Sequence, residues 1–245
     1  MEENLEHAQL LRWIDQIAQN DVPTDTKSYR GAALVNYLAD LGPITPLQEQ
    51  VLIGILLGDG TLRVGGTARN CNFKYDQKIT SSSLVNLVYL IFEPFVGTPP
   101  RIRFKNNVEH SLYFRTFRLP QLLFYYQQFY TRNDVGKLVR GVPKTICSRL
   151  SPISLAFWFM DDGSKTDYGY ALHTESFSLS DCQYLQALLE EKFNLKVSIW
   201  SDTRPKVDKI YYKLYINAES VSIFTNLIKP YIIPCMQYKL HILPE

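Results

Sequence analysis

Apolar residues recur at helical spacing over Leu5–Ile17 and Tyr29–Leu41, with the breaker-rich stretch Asp21-Val-Pro-Thr-Asp-Thr26 between them. These predict an N-terminal helical extension covering residues 1–44. After Gly42-Pro43 the chain shows two passages that open alike. Thr45-Pro46 and Ser151-Pro152 each place an N-cap residue before a proline at the first helical position, where the missing N–H costs nothing. Each leads into a short apolar helix, through Leu52-Ile-Gly-Ile-Leu-Leu-Gly58 and through Leu155-Ala-Phe-Trp-Phe-Met-Asp161, and each helix ends in Asp-Gly, at Asp59-Gly60 and Asp162-Gly163.

The likeness continues beyond each helix. The first passage predicts a strand over Asn70–Lys78, a helix over Ser83–Phe95, strands over Arg101–Lys105 and Tyr113–Arg118, and a helix over Leu122–Tyr130. The second predicts a strand over Tyr170–Glu175, a helix over Ser180–Phe193, strands over Lys196–Ser201 and Tyr211–Ile216 about a polar turn through Asp202 to Lys209, and a helix over Ser220–Ile228. The tails rhyme as well, Lys137-Leu-Val-Arg-Gly-Val-Pro143 against Lys239-Leu-His-Ile-Leu-Pro244. The pattern is an internal duplication with repeats at 45–150 and 151–245, each αββαββα. The expected class is α+β, with two pseudo-symmetric repeats, antiparallel sheets and a pseudo-twofold axis.

Length and composition exclude several classes. The 245 residues, 46% apolar and 20% charged, suit a chain with a sizeable core. The longest apolar run, Val51–Leu57, is interrupted by Gly54 and falls far short of the roughly 20 residues that span a bilayer. Glu2, Glu3 and Glu6 make the N-terminus unlike a signal or transit peptide, so the expected location is intracellular. Cys71, Cys147, Cys182 and Cys235 lie far apart with no CxxC pair, which suits a reducing compartment and argues against thiolate zinc. The net charge of +2 hides an uneven distribution: 3 Lys/Arg against 9 Asp/Glu in residues 1–60, 14 against 4 in 61–149, and 9 against 11 in 150–245. The basic middle favours a polyanionic partner.

Aspartate at a helix C-terminus opposes the macrodipole by about 0.3–1 kcal/mol and calls for compensation. Gly60 and Gly163 are expected to end their helices in the left-handed conformation, leaving Asp59 and Asp162 at the tips beside unpaired carbonyls. If the two helices pack side by side, Gly54, Gly58 and Ala156 permit close approach, and paired carboxylates with carbonyl oxygens suit Mg²⁺.

These two segments, LIGILLGDG (Leu52–Gly60) and LAFWFMDDG (Leu155–Gly163), resemble the paired motifs of the LAGLIDADG homing endonucleases, in the single-chain, two-motif form encoded in organellar introns. The resemblance covers about 200 residues and extends to His173-Thr-Glu-Ser-Phe177, Asn226-Leu-Ile-Lys-Pro-Tyr231 and Tyr238-Lys-Leu240. It implies a saddle whose motif helices form the central interface. Asp59 and Asp162 would be metal-binding acids, with Gly58 and Asp161 as further ligands of two or more Mg²⁺ ions, and both DNA strands would be hydrolysed by metal-activated water. It also implies a lysine near each active centre. Lys239 fits the second; Lys137 fits the first by the internal repeat, with Arg140 as its rival. Phe157 replaces a small residue of the pattern, so asymmetric packing of the two helices is expected.

The polar faces of the predicted strands carry side chains suited to reading bases. In the first repeat these are Asn70, Asn72, Lys74, Asp76 and Lys78 opposite Cys71, Phe73 and Tyr75, and Arg101, Arg103 and Lys105 opposite Ile102 and Phe104. In the second they are Lys196, Ser198 and Trp200 opposite Val197 and Ile199, with Lys213 and Tyr215 flanking Leu214. Arg63, Arg115, Lys165, His173 and Glu175, in or beside the same strands, complete the residues expected to contact DNA. The reading is a monomeric, site-specific double-strand DNA endonuclease promoting intron mobility, acting on a long target without an obligate protein partner or a membrane. If encoded in an organelle, it would work in a mitochondrion or chloroplast. An RNA maturase that assists splicing of intron RNA is the alternative on the same fold.

Overall fold

The computed structural model describes residues 2–19, 22–27, 29–66, 69–203 and 210–243, with the side chains of residues 2–4 left aside. Most of the predicted Asp202–Lys209 turn, residues 204–209, and Pro244 at the end of the second tail lie outside the described residues. The chain divides into two compact units: Met1–Leu52, Asp59–Gln127 and Ile233–Cys235 form one, and Ile53–Gly58, Gln128–Ile232 and Met236–Glu245 the other.

The first unit opens with α1 (Glu2–Ala18) and α2 (Gly31–Asp40). Next in the chain comes α3 (Pro46–Leu57), whose residues from Ile53 on belong to the second unit and whose start is fixed by a reciprocal cap: Gln48 N–H donates to Thr45 Oγ1 at 3.2 Å and Thr45 N–H to Gln48 Oε1 at 3.0 Å. The sheet has the order β1-β2-β4-β3, from Thr61–Val64, Cys71–Lys78, Val108–Arg115 and Arg101–Lys105 respectively, all antiparallel. One face of β2 is buried through Cys71, Phe73 and Tyr75, as its alternation predicts, and meets α4 (Ser82–Phe92). Phe73, Phe92 and Phe114 form the aromatic centre, with Phe73 5.3 Å from Phe92 and 5.8 Å from Phe114 between centroids. α1 packs on α4 through the buried Leu10, Ile14 and Ile17. The extension is fastened further by the Lys27–Glu93 ion pair at 2.8 Å and by Gln121 donating to the Gly42 carbonyl. α5 (Gln121–Phe129) comes after the sheet.

β3 departs from expectation. Ile102 pairs with the buried Leu112 and so shares its face, but neither it nor Phe104 is covered, and they are 40% and 60% exposed. β3 is an edge strand, its register shifts between Arg103 and Phe104, and every residue from Arg101 to His110 is exposed. β4 also begins five residues earlier than the pattern suggests. Its turn is the pair Asn106-Asn107, both at positive φ (52° and 61°), a conformation asparagine tolerates and two-residue hairpins require.

The second unit begins with a small hairpin that the pattern of apolar residues does not predict, β5 (Tyr130–Arg132) paired with β6 (Leu138–Arg140). A 3₁₀ helix over Lys144–Ser148 leads to α6 (Pro152–Asp162), capped by Ser151, whose Oγ accepts from Ser154 N–H. The sheet has the order β7-β8-β10-β9, from Gly163–Lys165, Tyr170–Leu172, Ile210–Ile216 and Val197–Thr203. This is the strand order of the first sheet, so the duplication extends to topology. α7 (Leu179–Phe193) carries a Ser178/Asp181 capping box and ends at Asn194 in the left-handed region. α8 (Val221–Ile228) and a 3₁₀ helix over Pro234–Lys239 complete the chain. Phe159, Tyr170 and Phe224 centre the core, at 4.9–5.3 Å.

Candidate nuclease site and nucleic-acid surface

Gly60 and Gly163 do not end their helices in the left-handed conformation. Neither has a positive φ, and Gly163 is extended at φ −107°, ψ 156°. The glycine is needed for space: a Cβ at Gly163 would collide with the ring and carbonyl of Phe159. Gly54 is constrained in the same way within the second unit, where a Cβ would strike the Ser154 carbonyl and press on Phe157 Cβ at 3.0 Å. The missing side chain at Gly54 leaves the room that the large Phe157, fully buried in α6, would otherwise lack.

At the end of α6 the charge problem posed by Asp161 and Asp162 has a local answer. Lys239 Nζ donates to the Met160 carbonyl at 2.7 Å and to the Gly163 carbonyl at 2.9 Å, so a cation caps the negative end of the helix. Burial pushes the Lys239 ammonium below its ordinary pKa, while Asp161 and Asp162 oppose that shift. Gly58 belongs to the same unit and lies directly against Asp161: a Cβ there would run into Oδ2 and approach Cγ at 2.8 Å. The cradle therefore holds a carboxylate, backbone oxygens and an ammonium, with no space for a side chain at Gly58.

In the first unit, Asp59 stands after α3 in an exposed turn, and its Oδ2 accepts from Gln77 Nε2 at 2.8 Å. Strand alternation places Gln77 on the core face. Near the end of β2, however, just before a 3₁₀ turn over Ile79–Ser81, the amide reaches the acid. Among the described residues no group of three or more His, Cys, Asp or Glu side chains gathers as a metal site.

The exposed face of the first sheet holds a groove of about 640 Å³ lined by Arg63, Lys74, Arg103, Arg115 and Arg118 with Asn72 and Tyr113 among the other wall residues, and with no carboxylate in its lining. Asp76 stands beside it, bridged to Lys74 at 2.7 Å and to Arg103 at 2.9 Å. Burial would raise the Asp76 carboxyl, but the Lys74 hydrogen bond and the charges of Lys74 and Arg103 hold it below its ordinary pKa. Tyr113 stacks under both cations, 4.8 Å from Arg103 and 5.6 Å from Lys74. Arg101 lines a smaller neighbouring pocket, and Asn70, Lys78 and Lys105 are exposed outside the groove. Arg118 is not among the expected contacts; the predicted strand runs to it, but β4 ends at Arg115. It reaches the groove across Gly65, where a Cβ would collide with its guanidinium.

The second sheet is more self-paired. Ser164 Oγ meets His173 Nε2 at 3.1 Å, His173 Nδ1 meets Glu175 Oε1 at 3.4 Å, and Lys213 Nζ reaches the same carboxylate oxygen at 3.3 Å. Burial raises the Glu175 carboxyl, but its own backbone hydrogen bond, His173 and Lys213 outweigh that and lower its pKa. Trp200 stacks on Tyr215 at 4.4 Å, Ser198 donates to Asn217, Lys165 donates to the Leu240 carbonyl, and Lys196 is exposed.

Lys137, matched to Lys239 by the repeating tails, has different surroundings from Lys239. Lys137 sits in the exposed turn of the β5–β6 hairpin, and Arg140 lies in β6 with its guanidinium 5.4 Å over the Phe177 ring. Residues 141–150 and 231–240 share one burial pattern position by position, both through a 3₁₀ helix, with Ile146 matching Met236 and Leu150 matching Leu240. In that register the counterpart of Lys239 is Arg149. The tails Lys137–Pro143 and Lys239–Pro244 look alike in residue identity, but in the burial register Pro143 stands opposite Ile233 and Lys137 opposite Leu227.

Comparison with known proteins agrees with the local geometry. The model of the LAGLIDADG DNA endonuclease family matches residues 49–224. The cytochrome b mRNA maturase bI2 of Saccharomyces cerevisiae is 31% identical over 246 residues, 96% of this chain and 56% of that protein, so the chain spans little more than half of that relative. A probable intron-encoded endonuclease 1 of Wickerhamomyces canadensis is 30% identical over 206 residues, 80% of this chain and 85% of that one. Among solved structures, the homing endonuclease I-WcaI bound to its DNA recognition sequence superposes with a TM-score of 0.76 at 25% identity, covering 88% of this chain and 95% of that one.

Proposed function

We propose that this chain, which belongs to the LAGLIDADG DNA endonuclease family, is a site-specific double-strand DNA endonuclease of the homing type. The observation that carries the reading is the recurrence of an acid at corresponding ends of α3 and α6, Asp59 and Asp162, in a chain whose two sheets share one strand order. A scaffold that only binds has no need of both carboxylates. The I-WcaI structure, with its DNA recognition sequence bound, supports duplex DNA as the partner.

The donor set suits hard divalent ions. Asp59 and Asp162, with the oxygens of Gly58 and Asp161, would hold Mg²⁺, and the tight seat of Gly58 on Asp161 keeps side chains out of that cradle. When bound, Mg²⁺ supplies activated water and polarises the scissile phosphate. The chain's own groups do the rest. Gln77 orients the Asp59 carboxylate, Lys239 fixes the end of α6 and its acids, and Arg149 is the positional counterpart of Lys239 in the first repeat. The five cations of the first groove neutralise backbone phosphates, while Asn72 and the arginines present base-reading donors.

Origin in an organellar intron belongs to the same reading, because matched relatives are named as intron-encoded and as a maturase of cytochrome b mRNA. That maturase is also the observation favouring the second reading, a splicing cofactor for intron RNA, since its match extends over 96% of this chain. Cleavage selection from a randomised duplex library with Mg²⁺ tests the first reading. Recovery of one long cleaved consensus supports it. Absence of cleavage, together with protein-dependent splicing of a cognate intron, would replace it with the second.

A further inference from the structure

We propose that the β5–β6 hairpin is a second DNA contact, binding the sugar–phosphate backbone of the duplex through Arg132 and Lys137. The inference rests on the endonuclease reading and adds to it a surface outside both four-stranded sheets.

The hairpin is a separate two-stranded element whose tip is exposed throughout residues 131–138. Its turn is stiff. Asn133 N–H donates to the Lys137 carbonyl at 3.0 Å, Lys137 N–H donates to Asn133 Oδ1 at 2.9 Å, and Gly136 takes φ 74°. Arg132 Nη1 is held on the Gly136 carbonyl at 2.7 Å, which places the guanidinium at the tip. No acidic side chain pairs with Arg132 or Lys137 among the described residues.

The root is anchored to the body. Gly141 N–H donates to the Phe129 carbonyl, Val142 N–H to Asp181 Oδ1, and Arg140 Nη2 to Ser176 Oγ at 3.3 Å. Ser176 comes directly after Glu175, whose carboxylate meets Lys213 on the exposed side of the second sheet. The hairpin thus rises beside the end of that face.

Charge explains why a second contact is needed here. From residue 150 onward the chain carries 9 Lys/Arg against 11 Asp/Glu, and two of the sheet's polar groups, His173 and Lys213, are spent on Glu175. Residues 128–149, which belong to the second unit, carry five Lys/Arg against one Asp. The basic middle of the sequence is therefore shared between the first sheet and this hairpin. Exposed Lys and Arg on a turn, with no wall of base-reading side chains around them, suit phosphate rather than base edges.

The test is the full-length Arg132→Gln/Lys137→Gln variant, checked for wild-type thermal unfolding and titrated across a salt series with its target duplex and with an unrelated duplex. Each lost phosphate contact should make the log Kd against log salt slope shallower by about 0.9, so about 1.8 for both, on both duplexes and with the preference for target unchanged. Unchanged slopes would overturn the proposal. So would intact binding with lost strand cleavage, which would return Lys137 to an active centre, or a loss confined to binding of a structured RNA. Failure to prefer the target would count against the endonuclease reading, while the slope on the unrelated duplex still decides the role of the hairpin.

Discussion

Gly58 lies so close to Asp161 that the glycine has no room for a Cβ: the added carbon would fall 2.8 Å from Cγ and closer still to Oδ2. The seat of this acid is thus set by a residue on another segment. Replacing an exposed helical glycine by alanine usually stabilises a protein by about 0.4–1 kcal/mol. Here the sign reverses. Gly58→Ala should cost about 1–3 kcal/mol through overpacking, or displace the Asp161 carboxylate, and either outcome should lower cleavage activity. Denaturant unfolding beside a cleavage assay checks both, and a fully active, more stable variant would show the contact to be slack.

Gly54→Ala should be worse tolerated still. Its obstacle is the Ser154 backbone carbonyl, which moves only if α6 moves, whereas a carboxylate can rotate aside. Comparing the unfolding midpoints of the two alanine variants tests that ranking.

Lys239→Met keeps the volume of the side chain and removes the cap on α6. It should destabilise the protein by about 1.5–3 kcal/mol, since a charged donor to the Met160 and Gly163 carbonyls is lost. Lys239→Arg should recover part of that in thermal unfolding.

The Asp76 ion pairs predict a pH dependence. The folded carboxyl titrates below its ordinary value near 3.8, so the unfolded state takes up the proton first as pH falls. The stabilisation is present above that value and is lost as pH drops through the folded pKa. Asp76→Asn should therefore be less stable than the parent at neutral pH and should converge with it in acid, as read from unfolding midpoints between pH 7 and pH 3.

All four cysteines are free, but their environments differ. Burial raises the Cys71 thiol to about 11, a hydrogen bond with the Arg63 backbone offsetting only part of the effect, and burial likewise raises Cys182. Cys147 and Cys235 are exposed. At neutral pH an alkylating reagent should modify Cys147 and Cys235 rapidly and reach Cys71 and Cys182 only on unfolding, which mass spectrometry of labelled peptides resolves.

Much of this fold is legible in the sequence. The paired Thr-Pro and Ser-Pro helix starts and the alternation of Cys71, Phe73 and Tyr75 each reflect one local rule that the fold obeys. Departures come where tertiary surroundings override a local rule. Ile102 and Phe104 alternate like core residues, yet their edge strand stays exposed. Gly60 and Gly163 stand where a left-handed cap is usual, yet at Gly163 the space beside Phe159 is what excludes a side chain. Gln77 lies on the core face by parity, yet its amide donates to Asp59 near the end of β2. Arg149 is hidden because the Lys137–Pro143 tail resembles Lys239–Pro244 in residue identity, whereas the burial pattern pairs residues 141–150 with 231–240.

The central claim, that Asp59 and Asp162 are the acids of a double-strand nuclease, is tested most directly by strand-resolved cleavage of the selected target with Asp59→Asn and Asp162→Asn beside the parent chain. Each variant should bind the target as tightly as the parent while double-strand cleavage falls by at least about a hundredfold. Cleavage of both strands at the parental rate by either variant would contradict the assignment.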